Sequence, residues 1–317
     1  MSGDILQRLI VDRIPSSLPS TSHTVLASQV PILFREPYIL SGYRPIQQNW
    51  LCYLQRLFQK HNETLNVWTH LLFCPVLLLR WWANIGALGY TLDAACLPLI
   101  LYLLSAFAYL LLSVAAHLFQ SHSEHTHYFF FFMDYVGVAV HQYGCALGHY
   151  FYTSEPAWRE SSIGPLYLPG IAFFAWLSCG GCCFAKSSPV VHRLFTVSWT
   201  QEPCLHFYTL QIALFLLSAL FFSCHIPECY FPGRCDFVGQ AHQIFHVLLG
   251  LSTVFQLEAL SQDYARRRDT VVEVFGEKQL WWACVSLATL FMSSILIALI
   301  SMWYMTKKLQ GTEERDK

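Results

Sequence analysis

Charge is scarce in this sequence. Asp, Glu, Lys and Arg together make up only 12% of its 317 residues, whereas 55% of the residues are hydrophobic and the mean hydropathy is +0.40. A water-soluble domain of this size needs more polar side chains to cover its surface. We therefore expect a membrane protein whose surplus apolar side chains face lipid.

An excess of either charge is also missing. The 19 basic and 20 acidic residues give a net charge of −1, so no basic surface indicates nucleic acid as a partner. The twelve cysteines are too dilute for a disulfide-stapled scaffold. A signal peptide is not indicated, because Pro15 and Pro19 interrupt the N-terminal segment. We expect residues 1–48 to form a flexible cytosolic tail.

Long apolar runs are what the sequence does contain. A bilayer core about 30 Å thick is crossed by about 20 residues of helix. Seven runs of about that length occur, at residues 67–88, 92–119, 128–152, 163–184, 205–223, 237–260 and 280–305. The sequence therefore predicts an all-α polytopic membrane helix bundle over residues 66–306, with a polar tail at 307–317.

A shorter segment before the first run is amphipathic. Trp50, Tyr53, Leu54, Leu57 and Phe58 recur at helical spacing, with polar residues on the other face. We predict an interfacial helix over residues 49–65 that lies on the membrane surface.

Polar residues inside the apolar runs are candidates for function, because ionisable groups in lipid are costly. His242 and His246 are four residues apart and share a helix face, as do Ser113 and His117. Two such histidines and a third from another helix could hold Zn²⁺ and leave one position for water. Asp134 could hold that water. The alternative is that these residues only form hydrogen bonds between helices.

Several motifs in order resemble the progestin and adipoQ receptor family, and within it the progestin-receptor subgroup. They are LFREPYI at 33–39, GYRP at 42–45, HNETLNVWTH at 61–70, SVAAH at 113–117, DYVG at 134–137 and GQAHQIFH at 239–246. The resemblance runs from about residue 30 to residue 308. It covers most of the chain.

The resemblance carries expectations for the site and its partners. It implies that His117, His242 and His246 bind zinc, with Asp134 and Ser113 beside them. It also implies a plasma-membrane receptor for a steroid or other lipophilic ligand, coupled to heterotrimeric G proteins and surrounded by membrane lipid. The implied zinc site is similar to that of ceramidases, which makes a zinc-dependent lipid amide hydrolase the alternative function, with Asp134 and Ser113 as its catalytic residues.

The chain departs from the family in its number of spans. Receptors of this subgroup resemble eight-span proteins, and seven candidates occur here. The join lies near residues 186–189, where the fifth span of the family is missing. A third reading is therefore a shortened isoform without function, which could still form an oligomer with intact partners.

The lost span creates a problem for the metal site. With strict alternation and an inner loop at 185–204, His242 and His246 lie on the opposite side of the membrane from His117, on the order of 20 Å away. We expect such inversion or poor insertion in the membrane. If the family's packing prevails instead, residues 185–204 must cross as an irregular segment buried in protein. His117 then lies close to both other histidines.

Overall fold

The computed structural model describes residues 23–177, 186–200, 202 and 204–313, with the side chains of 309–313 left out. Within these ranges the chain is almost entirely helical and forms no strand, apart from one isolated β-bridge between Val25 and Tyr43. The predicted all-α fold is confirmed.

Nine α-helices are numbered here in chain order. They are α1 (Trp50–Gln55), α2 (Thr64–Leu88), α3 (Leu97–Phe119), α4 (Glu124–Gly148), α5 (Pro156–Arg159), α6 (Gly164–Trp176), α7 (Ser188–Thr196), α8 (Cys204–Cys224) and α9 (Ala241–Glu313) among the described residues. A π-helical turn, His149–Thr153, extends α4. Gly276 divides α9 into two arms, because its φ of 74° and ψ of 150° suit glycine but not helix.

Four of the described helices are long and apolar enough to cross a membrane: Thr64–Leu88, Ala94–Phe119, Cys204–Cys224 and Ala241–Lys308. The last contains the sixth and seventh predicted spans, one on each arm. The third predicted span coincides with α4, which has 25 residues. The fourth coincides with α6, which has 13 residues, and its predicted end at 178–184 lies outside the described residues.

Small residues allow the helices to approach closely. A Cβ atom added to Gly144 of α4 would lie 2.0 Å from the Ser105 Oγ of α3. One added to Gly250 of α9 would lie 2.1 Å from Phe73 Cε2 of α2. Close backbone approach of this kind is how membrane helices gain packing contacts that lipid cannot supply.

The long helices run between two ends of the bundle. We call the end that holds His117 and His242 the histidine end, and the end that holds His149 and Asp263 the opposite end. Six segments among the described residues connect them, namely α2, α3, α4, α8 and the two arms of α9. Helix α8 begins beside Asp263, since Cys204 Sγ lies 3.2 Å from Asp263 Oδ1, and it ends where Phe222 packs against His242.

Helix α6 follows a different course. It starts at the opposite end, and Trp176 at its last turn donates a hydrogen bond of 3.0 Å to Ser293, partway along the second arm of α9. Lys186 lies back at the opposite end. Its carbonyl accepts a hydrogen bond of 2.6 Å from the Tyr167 hydroxyl and lies 2.9 Å from His149 Nδ1. Lys186 therefore lies back at the end where α6 starts.

This return differs from the expected inversion. The separation of the histidines required a complete crossing by the fourth predicted span. Lys186 instead lies at the end where α6 starts, α8 starts at this opposite end, and α9 starts at the histidine end. Residues 185–204 therefore need not cross the bilayer for the three histidines to meet.

Helix α7 is held to the bundle by a buried ion network. The guanidinium of Arg193 is fully buried and donates to Asp263 Oδ2 at 2.7 Å and to Glu202 Oε2 at 2.9 Å. Its Nε lies 3.4 Å from Glu155 Oε1. Burial alone would lower the pKa of Arg193, but the Asp263 charge raises it above its usual value. The network joins α7 to the first arm of α9 and to the segment before α5.

Residues 23–48 pack against the histidine end, which differs from the flexible tail expected there. Val30, Ile39 and Tyr43 form a small buried core. Asp236 accepts from the Leu40 backbone N–H at 2.9 Å and from the Ser41 hydroxyl at 2.5 Å. These hydrogen bonds join residues about 195 positions apart, and composition cannot predict contacts of that kind. Residues 1–22 of the expected tail lie outside the described residues.

The predicted interfacial helix is shorter than expected. Helix α1 and a 3₁₀ turn, Arg56–Phe58, cover residues 50–58, and α2 begins at Thr64. The Trp50 ring stacks on His122 with centroids 4.1 Å apart, and Tyr53 is fully buried. Phe58 is 78% exposed and remains available to the membrane interface.

The course of α6 predicts which loops share a side of the membrane. Epitopes inserted in the 120–123 loop and in the 225–240 loop should become accessible together, because both loops lie at the histidine end. A tag at Ser2 should behave like them, since residues 23–48 pack at that end. Antibody labelling of intact and permeabilised cells measures this. If the 225–240 loop is labelled on the side of the membrane opposite to the 120–123 loop, the seven-crossing topology is correct instead.

The Arg193 network predicts a large stability effect. Arg193→Ala should destabilise the protein by about 3–5 kcal/mol, because it leaves the fully buried Asp263 carboxylate unpaired. Arg266→Ala is the matched control. Arg266 also pairs with Glu202, but its side chain is 42% exposed, so its loss should cost about 1 kcal/mol or less. Thermal unfolding in detergent measures both, and equal melting temperatures would contradict the expectation.

Candidate functional site

Three histidines from two helices converge at the histidine end. His117 comes from the last turns of α3, and His242 and His246 come from the first turns of α9. The Nε2 atoms of His117 and His242 lie 3.2 Å apart, and one ring nitrogen from each of the three lies within 4.8 Å of the others. The predicted set is therefore brought together. We refer to it as the histidine centre.

The geometry fits a zinc ion. Zinc bound by two imidazole nitrogens at about 2.0–2.1 Å and a tetrahedral angle places those nitrogens about 3.3–3.4 Å apart, close to the observed 3.2 Å. Three protein ligands would leave a fourth position open, the pattern of catalytic rather than structural zinc. Without an ion, one of the two facing nitrogens must carry a proton and donate to the other.

In His117 and His246, the Nδ1 atom has a hydrogen-bond partner that determines which ring nitrogen carries the proton. His117 Nδ1 lies 2.7 Å from Glu63 Oε2, and His246 Nδ1 lies 3.1 Å from the Asn66 carbonyl oxygen. Both partners accept hydrogen bonds, so each Nδ1 carries a proton and each Nε2 keeps a lone pair for a ligand. A carboxylate that orients and strengthens a metal-binding histidine in this way is a common feature of zinc sites.

Asp134 and Ser113 lie beside the histidine centre. The Asp134 carboxyl group lies near both the Ser113 hydroxyl and the His117 ring. Ser113 is buried one turn before His117 on α3. All five residues singled out from the sequence thus occupy one region.

The start of α2 contributes residues that sequence reasoning did not select. Glu63 and Asn66 hold two of the histidines, and the Asn66 side chain donates to Glu63 Oε2 at 2.7 Å. Thr69 Oγ1 lies 3.2 Å from His246 Nδ1, and the His70 ring stacks on His246. The sequence does contain a signal for three of these residues. Glu63, Asn66 and His70 follow the i, i+3, i+7 spacing of one helix face at the edge of the first apolar run.

Arg44 connects the N-terminal segment to the centre. It is buried, and its two terminal nitrogens donate to the backbone carbonyls of Leu118 at 2.5 Å and His117 at 2.7 Å. These carbonyls lack helical partners at the end of α3, where a cation is favoured. Burial lowers the pKa of Arg44 to about 10, so the guanidinium stays charged at neutral pH. Arg44 therefore fixes the backbone of a candidate ligand.

Charge around Glu63 keeps that carboxylate ionised. Burial alone would raise the pKa of Glu63, but the hydrogen bond and charge of His117, the charge of Arg44 and the hydrogen bond from Asn66 together lower it below its usual range. An ionised Glu63 is the form that accepts the proton of His117 Nδ1.

A second group of ligand-type atoms occurs at the opposite end, formed by Glu202, Cys204 and Asp263. Arg193 occupies this cluster and donates to both carboxylates. Its positive charge takes the place that a cation would need, so the cluster is an ion-pair network.

Comparison with known proteins gives the family. The sequence pattern described as haemolysin-III related matches residues 58–195 and 186–257. Membrane progestin receptor beta is 46% identical in Sus scrofa and 45% identical in Homo sapiens, with 90% of this chain and 88% of those proteins covered. Membrane progestin receptor alpha of Homo sapiens is 45% identical, with 83% of each chain covered.

The fold and site define an all-α integral membrane protein with a histidine centre at one end of its bundle. The chain belongs to the haemolysin-III related family. Within that family it is similar to the membrane progestin receptors beta and alpha.

The same comparisons bear on the lost helix. The alignment with the Sus scrofa protein runs over 315 positions, but 90% of this chain amounts to only about 285 residues. About 30 aligned positions therefore have no residue in this chain. The two family matches overlap at 186–195, beside the join inferred from the sequence.

The histidine centre predicts that the protein binds zinc and that this binding depends on His117 and Glu63. The purified protein should hold one zinc per chain, and His117→Ala should abolish it. Glu63→Gln should weaken zinc affinity about 10–100-fold, because it removes the acceptor that orients His117. Glu124→Gln, which neutralises an exposed carboxylate at the start of α4, is the control and should bind zinc normally. Metal analysis and chelator competition measure these values; zinc retained by His117→Ala would refute the assignment.

Proposed function

We propose that this protein is a membrane progestin receptor that binds a steroid within its helix bundle. The observation that carries the proposal is its similarity to the membrane progestin receptors, 46% identity with 90% of the chain covered, combined with the histidine centre. A lipophilic ligand reaches such a bundle through the bilayer. Its polar groups need buried partners, and the histidine centre and α2 offer them.

The receptor mechanism requires two conformations that bind the steroid differently. A ligand shifts an equilibrium only by its difference in affinity for the two states. The histidine centre joins α3, α9 and, through Glu63 and Asn66, the start of α2. A ligand that alters this junction changes the relative positions of three helices at the end that carries residues 23–48. We infer that heterotrimeric G proteins respond to this change in the relative positions of the helices.

Membrane placement follows from the same proposal. We propose that the protein resides in the plasma membrane with its N-terminus in the cytosol. Arg35, Arg44, Arg56 and Lys60 all lie near the histidine end, and basic residues favour the cytosolic side. The histidine centre is then near the inner leaflet. Oligomers with further copies or with intact relatives are compatible with this arrangement.

A zinc-dependent lipid amide hydrolase is the second candidate, and Asp134 beside the histidine centre favours it. We propose that His117, His242 and His246 hold the zinc. When bound there, zinc would act as a Lewis acid and lower the pKa of a water molecule. Hydroxide would then be available at neutral pH to attack an amide. In this mechanism Asp134 would accept a proton, and Ser113 would orient the Asp134 carboxylate. The receptor is preferred because the relatives are named receptors.

Loss of a helix should weaken steroid binding. A helix absent from the bundle removes one wall of any cavity that it lines, so we expect lower progesterone affinity or fewer sites than in a full-length relative. Radiolabelled progesterone binding to membranes that express either chain at equal levels measures this. Equal affinity and site number would show that the absent helix is not part of the binding site. No binding at all would support the non-functional isoform.

A further inference from the structure

His70 is a fourth imidazole at the histidine centre, and the proposed function gives it no role so far. Its ring lies on that of His246 with centroids 3.6 Å apart and an angle of 15° between planes. The Tyr109 ring packs edge-on against it at 5.6 Å. His70 is only 2% exposed.

Neither ring nitrogen of His70 has a hydrogen-bond partner among the described residues. Buried polar atoms are nearly always paired, so a side chain with two unpaired nitrogens needs an explanation. Neighbouring groups are already engaged. His246 Nδ1 faces the Asn66 carbonyl at 3.1 Å, and the Tyr109 hydroxyl lies 2.9 Å from Thr253 Oγ1.

His70 is also outside the converging set of ligand nitrogens. Only His117, His242 and His246 among the residues described here bring nitrogens within 4.8 Å of one another at this end. The His70 ring lies parallel to that of His246 instead of joining them. A fourth histidine in this position is suited to contact what the centre binds.

We propose that His70 hydrogen-bonds a hydroxyl or carbonyl oxygen of the lipophilic ligand that binds at the histidine centre. A neutral imidazole has one N–H donor and one acceptor nitrogen, so it can serve either oxygen type. The inference rests on the proposed function and names the residue that recognises the polar end of the ligand. His246, stacked on His70, fixes the plane of its ring.

The test compares two substitutions of His70. His70→Phe keeps an aromatic ring for stacking and removes both nitrogens, so progesterone affinity should fall about tenfold or more while zinc content and melting temperature stay near wild type. His70→Gln restores a donor and an acceptor without the ring, and its affinity should be closer to wild type than that of His70→Phe. His149→Phe, a buried histidine at the opposite end, is the control and should leave affinity unchanged.

Each result has a separate meaning. Unchanged progesterone affinity in His70→Phe overturns the inference and leaves the receptor function standing, since the nitrogens would then bind only water. Loss of zinc from His70→Phe also overturns it, because His70 would then support the metal site. A wild-type chain that binds neither progesterone nor a long-chain ceramide refutes the proposed function, and the inference falls with it.

Discussion

The contact between His117 of α3 and His242 of α9 is the interaction on which the arrangement of the histidine end depends. It joins residues 125 positions apart in the sequence. The Nδ1 atom on the other edge of the His117 ring donates to Glu63, which joins the start of α2 to the same residue. Arg44 then binds the carbonyls at the end of α3 and attaches residues 23–48. Four separate parts of the chain therefore meet at the end of α3, around His117.

The buried charges of Glu63 and Arg193, at the two ends of the bundle, are paired inside the protein. In lipid this is a requirement, because a buried charge without a partner costs several kcal/mol. At the histidine end, Glu63 faces Arg44 and His117. At the opposite end, Arg193 faces three carboxylates. Glycine and serine contacts occupy the region between, where Gly144 meets Ser105. The bundle therefore has two polar junctions separated by tightly packed helices.

The position of Lys186 bears on where the later helices begin. In an alternating bundle, removing one crossing would reverse the direction of every later helix. Among the described residues, the Lys186 carbonyl lies beside Tyr167 near the start of α6, so α7 follows from the end at which α6 began. Helix α9 accordingly begins at the end where α3 finishes. The Arg193 network provides the anchor for this position, because it fastens α7 directly after Lys186.

Much of the fold and site was determined by local sequence pattern. Apolar runs of about 20 residues specify membrane helices, and the four-residue spacing of His242 and His246 places both on one face wherever that helix lies. Family motifs indicated His117, Asp134 and Ser113. Such signals depend only on neighbours in sequence, so they can be recognised without tertiary structure.

Tertiary structure decided which helix ends meet. Strict alternation predicted that His117 and His242 lie apart, whereas the packed bundle places them in contact. Spacing placed Glu63 and Asn66 on one helix face, but it did not indicate that they, or Arg44, contact residues of distant helices. The physical reason is that a hydrogen bond between helices requires both partners at one depth and facing each other. Depth and facing are set by the packing of the whole bundle.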